Sequence, residues 1–357
     1  MKPVTAMRLW LVLGLCALYS QTFANPANPA DEAPMPVSVP SSTGDPAALI
    51  DSVPAAGAVK APENWLERIA MASQQLNYIG TFSYQTGRRF ETSRIAHRYS
   101  DGEENERMEV LDGSPREVVR RGDEVRCVLP AQRTVIISRV VSRIGFPSRL
   151  SQHHAEVADN YLIREEELGR IAGREARKLV LEPRDGLRFG HVLWADVRTG
   201  LLLKSQVLNA RGEVVEQFTF SDVRIGADVD EASLAAQLVT QVQPEPDWRT
   251  INVGSDDAKP DEERWRLREP LPGFALTSKV QHRNGGALQM VFSDGLAAIS
   301  VFIEPAQAGV EARGSFPAGG AVNAFERIVG GHRITVLGEV PAEAAQRVAE
   351  TIEVIGQ

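Results

Sequence analysis

The chain has 357 residues, of which 43% are hydrophobic, and this length is sufficient for two domains with separate cores. It is acidic, with 47 Asp and Glu residues against 39 Lys and Arg residues and a formal net charge of −8. Because such a surface repels polyanions, we expect no nucleic acid partner.

The first 24 residues have the features of a signal peptide. Lys2 and Arg8 form a short positive segment before an apolar stretch, residues 9–18. This stretch is too short to span a bilayer. Thr22 and Ala24 place small side chains where a signal peptidase reads them, so we predict cleavage after Ala24. The mature chain would have a net charge of −10 and no transmembrane anchor, since no second apolar stretch of that length follows.

A lipoprotein signal is the alternative interpretation of this segment. Cys16 would then be the lipidated residue. The bulky Leu15 before it disfavours this alternative, because a small residue is expected at that position.

Residues 25–61 are rich in Pro, Ala, Ser and Gly and contain few large apolar side chains. Such a composition cannot offset the entropy of ordering the chain, so we predict a disordered leader. The first domain, residues 62–226, then opens with a helix whose apolar stripe includes Trp65, Leu66 and Ile69.

Short strand patterns separated by turn residues fill the rest of this domain. They are YIGTFSYQ, SRIAHRYS, ERMEVL, REVVRR, EVRCVLP, RTVIIS, YLIREEEL, EARKLVLEP, RFGHVLWAD, LLLKSQVLN and EVVEQFTFSDVRI. Regular short strands with Gly and Asp-Gly separators predict an antiparallel sheet that curls into a barrel or sandwich. The segment IGFPSRLSQHHAEVADNY interrupts the pattern and is expected to contain a short helix.

An acidic, proline-containing linker is predicted over residues 227–262, with a short helix at EASLAAQLV. The second domain, residues 263–357, contains strand patterns at FALTSKVQH and ERIVGGHRITVLGEV. Between them, MVFSDGLAAISVFI predicts a β-hairpin with an Asp-Gly turn. A final helix begins at Pro341, with Ala345, Val348, Ile352 and Ile355 on its buried face.

The sequence contains no recognisable catalytic or cofactor motif. It lacks a glycine-rich phosphate loop, a zinc-protease His pattern and a nucleophile elbow, so we predict no enzyme activity and no cofactor. His153 and His154 are adjacent and point in different directions, which makes a poor metal pair, and no metal is predicted. Cys127 lies within an apolar strand and is expected to be a small buried side chain.

An arginine-rich stretch reverses the sign of the charge locally. Residues 116–149 contain eight Arg and only three acidic residues. Arginine suits the capture of carboxylate or phosphate, so this stretch is a candidate surface for an anionic peptide or lipid head group. Outward-facing strand residues without a partner are the equally supported alternative. The candidate residues are Arg120, Arg126, Arg139, Arg143 and Arg149.

Apolar and aromatic side chains recur along the predicted strands and could line a ligand cavity in a half-open barrel. An ordinary filled core is the alternative. The candidate lipid-binding residues are Phe82, Phe146, Leu150, Leu162, Phe189, Trp194 and Phe218. Two of them, Phe146 and Leu150, fall in the irregular segment, where a lid over the barrel would be placed.

Several stretches resemble the RseB/MucB family of envelope-stress sigma factor regulators. They are residues 64–85, residues 188–223, LPGFAL, MVFSDGLAAISVFIE and RITVLGEVP. Residues 188–223 also resemble the strand pairs of the lipoprotein carriers LolA and LolB. The SDGLAAISVF string is the most specific of these matches. The residues of the family signature are Pro272, Gly273, Phe274, Ser293, Asp294, Gly295, Leu296, Ser300 and Phe302.

The resemblance implies a fold and a function. The fold would be mainly β with flanking helices: a large half-open antiparallel barrel of lipoprotein-carrier type and a smaller β-rich domain. The protein would be periplasmic and dimeric and would shield the periplasmic part of an RseA/MucA-like anti-sigma factor from proteolysis. Lipopolysaccharide or lipoprotein acyl chains would release it. The apolar hairpin would help to build a surface for protein contact. A periplasmic lipoprotein or lipid carrier is the alternative function.

Overall fold

The computed structural model describes most of the two predicted domains. The described residues are 63–139, 157–238, 248–254, 265–281, 287–307, 309 and 311–354. Within them, no helix has the length and apolar character needed to cross a bilayer. The signal peptide, the leader and the predicted lid residues Phe146 and Leu150 lie outside the described residues.

The first domain begins with helix α1 (Glu63–Gln75) and continues with a twelve-stranded sheet. The order across the sheet is β12-β6-β5-β4-β3-β2-β1-β11-β10-β9-β8-β7, and its two edge strands do not pair with each other. The strands are β1 (Tyr78–Thr86), β2 (Arg89–Ser100), β3 (Glu103–Val110), β4 (Glu117–Arg121), β5 (Glu124–Leu129), β6 (Thr134–Arg139), β7 (Tyr161–Ile171), β8 (Arg174–Pro183), β9 (Gly190–Asp196), β10 (Leu202–Leu208), β11 (Val214–Ile225) and β12 (Arg249–Gly254). The mainly β, open architecture predicted from the sequence is therefore confirmed.

Helix α1 packs on the sheet through its predicted apolar stripe. Trp65, Leu66, Ile69 and Ala70 are buried against a cluster that includes Leu193. A spacing of three and four residues places these side chains on one face of the helix. Each fully buried large apolar side chain stabilises the fold by about 1.5–3 kcal/mol.

The predicted linker contains two segments that pack on the first sheet. Val229 and Leu234 are buried against Ala96, and the short helix α2 (Glu231–Leu234) begins at the N-cap residue Asp230. Further along, β12 pairs in parallel with β6. Residues 239–247 and 255–264 lie outside the described residues. Separate folding of the two domains stays a prediction.

The second domain is built on a six-stranded sheet with the order β14-β15-β16-β19-β18-β17. Its elements are β13 (Trp265–Leu267), β14 (Ala275–Gln281), β15 (Leu288–Ser293), β16 (Ala298–Pro305), β17 (Gly314–Gly319), β18 (Val322–Val329), β19 (His332–Gly338), helix α3 (Ala342–Thr351) and β20 (Ile352–Val354). β13 and β20 form a separate two-stranded sheet. The predicted hairpin is present as β15 and β16. Helix α3 buries Ala345 and Val348 as expected, but it ends at Thr351, so Ile352 lies in β20 and not in the helix, and Ile355 lies outside the described residues.

The hairpin does not form the surface expected from the sequence. Its two strands are almost entirely buried, and Met290, Ile299 and Val301 belong to the core of the second domain. Apolar residues on both faces of a strand indicate that both faces are covered. The expected role of the hairpin as a contact surface is therefore wrong for its strands. The turn that joins them is buried as well.

Candidate functional site

The Asp-Gly turn of the hairpin inserts into the first domain. Asp294 is fully buried, and its Oδ1 accepts hydrogen bonds from the backbone N–H groups of Leu296 and Ala297, at 2.9 and 2.7 Å. Gly295 has a φ of +93°, which glycine adopts without strain. The turn is therefore shaped by the aspartate itself, and Oδ2 remains available for the other domain.

Arg188 and Tyr161 of the first domain bind that oxygen. Arg188 Nε donates to Asp294 Oδ2 at 2.6 Å, and the Tyr161 hydroxyl donates to the same atom at 3.3 Å. The Arg188 side chain is 1% exposed and also pairs with Asp185. Burial lowers the pKa of Arg188, but the hydrogen bonds and charges of Asp185 and Asp294 outweigh it, so the net shift is upward. Arg188 therefore holds its positive charge between the domains.

The other end of Arg188 binds the LPGFAL stretch of the second domain. Its Nη2 donates to the backbone carbonyl of Pro272 at 2.5 Å and to Asn160 Oδ1 at 3.2 Å. The guanidinium carbon lies 4.7 Å from the centre of the Phe274 ring. Gly273 has a φ of +73°, and a Cβ there would lie 2.0 Å from Asn160 Oδ1. Only glycine therefore fits between these side chains.

Apolar contacts complete this boundary, which we call the seam. Leu296 of the turn is 1% exposed and packs with Leu66 and Tyr161 in the first-domain core. Leu187 of the first domain packs in the second-domain core. Seven residues of the family signature thus lie at the seam or shape its turn, whereas Ser300 and Phe302 lie within β16, paired with β19. The signature consequently marks the junction of the two domains.

A second feature is an aromatic cluster on one face of β1 and β11. A register shift between Thr81 and Phe82 places Phe82 opposite Phe220. The Phe82 ring lies 4.9 Å from that of Phe218, which lies 5.1 Å from that of Phe220. The Phe220 ring passes over Gly80, where a Cβ would lie 2.7 Å from Phe220 Cε1. Rings at these separations and angles attract one another beyond their apolar burial.

The predicted lipid-binding residues divide into two groups in the structure. Phe82, Phe218 and Trp194 belong to this aromatic cluster or pack against it, and Phe218 and Trp194 are only half-buried. Phe189 is buried but is not a member of the cluster, and Leu162 is 46% exposed. Sequence reasoning missed Phe220, although its alternation with Phe218 along β11 could have indicated it.

Two lysines flank Trp194, which is in register with both of them on the neighbouring strands. Lys204 Nζ lies 4.7 Å from the centre of the Trp194 ring, and Lys178 Nζ lies 5.9 Å from it. Burial lowers the pKa of Lys204. An apolar surface bordered by lysines suits a ligand with both an acyl chain and an anionic head.

The arginine-rich stretch is partly neutralised by acids of the same chain. Arg116 is buried and paired with Glu91, and Arg126 Nε lies 2.6 Å from Glu124 Oε1. Arg120 is half-buried on β4, opposite Glu106. The side chains of Arg139, Arg143 and Arg149 lie outside those that the structure describes. Of the five candidate residues, the structure describes the side chains of Arg120 and Arg126, so anion binding by the stretch stays a prediction.

The fold and the seam define a class: a two-domain β protein in which an open sheet with an aromatic cluster is locked to a smaller β domain. Models of the MucB/RseB N-terminal and C-terminal domains match residues 61–238 and 259–353. The chain is 35% identical to the sigma factor AlgU regulatory protein MucB of Pseudomonas aeruginosa over 84% of this chain and 93% of that protein. It belongs to the MucB/RseB family, and the curated relatives that it matches are sigma factor regulatory proteins.

Further relatives agree with this assignment. The sigma-E factor regulatory protein RseB of Escherichia coli K12 is 25% identical over 85% of this chain and 92% of its own length. A crystal structure of MucB in complex with MucA(peri) matches with a TM-score of 0.62 and 32% identity, covering 83% of this chain and all of that one. A second MucA/MucB complex, from Pseudomonas aeruginosa, matches with a TM-score of 0.63 and 31% identity over 84% of this chain and all of that one.

Proposed function

We propose that the exported chain is a periplasmic negative regulator of an envelope-stress sigma factor and binds the periplasmic part of a membrane-spanning anti-sigma factor. The observation that carries this proposal is the similarity to MucB crystallised with MucA(peri), which extends over both domains of this chain. The predicted signal peptide supports the same compartment.

Binding would shield the anti-sigma factor from the proteases that start its degradation. The sigma factor would therefore stay bound to the anti-sigma factor. The test is digestion of the purified periplasmic segment of the anti-sigma factor by its site-1 protease, with and without excess regulator. We expect a stable complex on gel filtration and slower cleavage within it. Complex formation with unchanged cleavage would show binding without protection, and no complex would refute the proposed partner.

The aromatic cluster would receive the release signal, an acyl chain of lipopolysaccharide or of a mislocalised lipoprotein. Phe218 and Trp194 support this role because they are half-buried and pack against buried side chains, so an acyl chain can reach them without opening the core. Lys178 and Lys204 would attract the anionic head of lipopolysaccharide.

A matched pair of substitutions tests the lipid site. Phe218→Asp puts a charge into the cluster, whereas Leu168→Asp puts the same charge on an exposed leucine outside it that is not a candidate residue. We expect Phe218→Asp to abolish binding of a fluorescent acyl probe and Leu168→Asp to leave it unchanged, with both proteins folded by circular dichroism. Equal affinity in the two variants would place the acyl site elsewhere.

A periplasmic lipid or lipoprotein carrier is the second candidate, and the same aromatic cluster favours it. The two functions differ in the partner that the protein holds in the cell. Affinity capture from periplasm should retain an anti-sigma factor fragment if the chain is a regulator, and lipoproteins in transit if it is a carrier.

The resemblance to the family also implies a homodimer. Light scattering of the purified protein, which gives its molar mass in solution, tests this prediction.

The arginine-rich stretch would contribute to anionic partner binding. Each exposed contact is worth only about 0.2–1 kcal/mol, so its effect would be chiefly on encounter rate. Replacing Arg139, Arg143 and Arg149 together by Ser should weaken binding of the anti-sigma segment and flatten its salt dependence. An unchanged salt slope would make these residues ordinary surface.

A further inference from the structure

One face of the β2–β3 hairpin carries three groups that bind metals in other proteins. His97 lies on β2, and Glu104 and Glu106 lie on β3. The antiparallel register pairs His97 with Glu106 and Tyr99 with Glu104, so the three side chains share one face. One ligand atom from each residue lies within 4.8 Å of the others. This cluster belongs neither to the seam nor to the arginine-rich stretch.

The orientation of the His97 ring is fixed by its neighbours. Its Nδ1 lies 2.7 Å from the backbone carbonyl oxygen of Leu76. A carbonyl oxygen only accepts hydrogen bonds, so Nδ1 carries a hydrogen and donates it. The Tyr78 ring stacks on the imidazole, with the ring centres 5.0 Å apart and the planes 15° from parallel. Metal-binding histidines are held in the same way, with one nitrogen bonded to a carbonyl and the other aimed at the ion.

The other ring nitrogen faces a carboxylate. Nε2 lies 3.1 Å from Glu104 Oε1, and the imidazole is fully buried. A lone pair on Nε2 would repel a carboxylate oxygen at that distance. A proton or a bound cation must therefore lie between the two atoms.

We propose that His97 Nε2 and the carboxylates of Glu104 and Glu106 form a site for a divalent transition-metal ion, for which Zn²⁺ is the probe. Zinc binds such nitrogen and oxygen ligands at about 2.0–2.2 Å, so neighbouring ligand atoms lie about 3.4 Å apart. The separation of Nε2 and Glu104 Oε1 is close to this value. Glu106 is half-buried, so a rotation of its side chain can bring the carboxylate to ligand distance from the same ion.

The donor set distinguishes between classes of metal ion. Calcium takes about six to eight oxygen ligands, and one imidazole with two carboxylates does not supply them. Imidazole and carboxylate together suit zinc and its neighbours in the first transition series. Three protein ligands leave the fourth tetrahedral position for water.

Protons would compete with the metal at Nε2. Burial lowers the pKa of His97, but the hydrogen bond that the ring donates to Glu104 and the charge of Glu106 outweigh burial, so the net shift is upward. The groups facing the ring are Tyr78 on β1 and the two glutamates on β3, with Arg120 on β4 in register with Glu106. Zinc affinity should consequently fall as the pH is lowered through the raised pKa.

Calorimetric titration of ZnCl₂ into the untagged, EDTA-treated full chain at pH 7.5 tests this site. We expect one equivalent to bind with a micromolar dissociation constant, and Zn²⁺ to raise the melting temperature. Glu106→Gln should weaken binding at least tenfold, and His97→Gln should abolish it. Because His97 is buried and its variant can misfold, Glu106→Gln is the decisive variant.

Two controls separate this site from other zinc binding. Glu103→Gln changes an exposed residue on the same strand but the opposite face and should leave the affinity unchanged. His153→Gln with His154→Gln removes the two adjacent histidines of the sequence and should also have no effect. The proposal is overturned if the double histidine variant loses the site, if Glu106→Gln binds as the parent does, or if the parent binds no tighter than millimolar.

Discussion

Two buried ionic clusters of the first domain differ in the source of their positive charge. At the seam, the charge is the guanidinium of Arg188, which is permanent and bonded to Asp185, Asp294 and backbone groups. In the β2–β3 hairpin, a proton between His97 and Glu104 or, as proposed above, a bound metal ion would supply the positive charge, and either can leave. A buried cluster with a permanent charge locks a structure, whereas one with a labile charge can respond to protons or metals.

The largest effect is expected from Asp294→Asn. This change preserves the shape of the turn residue but leaves the buried Arg188 without its charged partner in the second domain. Breaking a buried ion pair costs about 3–5 kcal/mol when the remaining charge is left unpaired. Because Asp185 still pairs with Arg188, urea denaturation should show a loss near the lower end of this range in the free energy of unfolding.

Asp185→Asn is the matched control for Asp294→Asn. Asp185 also binds Arg188, but its side chain is 35% exposed, so water can replace part of its interaction. The loss of stability should therefore be clearly smaller. Equal losses in the two variants would mean that the seam is not held chiefly by the charge of Asp294.

A smaller effect is expected from Gly273→Ala. A left-handed backbone conformation costs a residue with a Cβ about 1–2 kcal/mol, and here the Cβ would also collide with Asn160. Gly212→Ala is the control, because Gly212 has a φ of +75° with no atom within 4 Å of the added Cβ. The difference in the free energy of unfolding between the two variants measures the cost of the collision between the added Cβ and the side chains packed around Gly273. Equal losses would mean that the backbone moves to make room.

The smallest effect is expected from the titration of His97. Because its pKa is raised in the folded chain, the protonated ring stabilises the fold below the ordinary histidine pKa of about 6.5. That contribution is lost as the pH rises through the folded pKa. In EDTA, the free energy of unfolding of the parent should fall relative to that of His97→Gln as the pH is raised from 6 to 8. Parallel pH profiles would show that the proton contributes nothing to stability.

The strands were predictable because their signals are local. The alternation of apolar residues and the Gly and Asp-Gly turns located all eleven predicted strands of the first domain within a few residues. The SDGL stretch indicated a hairpin for the same reason, and the apolar stripe of α1 indicated its buried face. Short strands such as β12, β13 and β17 were not predicted, because their sequences lack a repeating alternation of apolar and polar residues.

The sequence by itself determined the strands, the hairpin and the family, since each depends on residues close together along the chain. Only the tertiary structure decided what these elements contact. Arg188 and Asp294 are 106 residues apart, and the buried position of the hairpin depends on covering both its faces. His97 and Glu104 are only seven residues apart, but their meeting depends on the register of β2 and β3 and on the Leu76 carbonyl that orients the ring. Long-range pairing of charges and rings follows from packing, and a sequence pattern does not contain it.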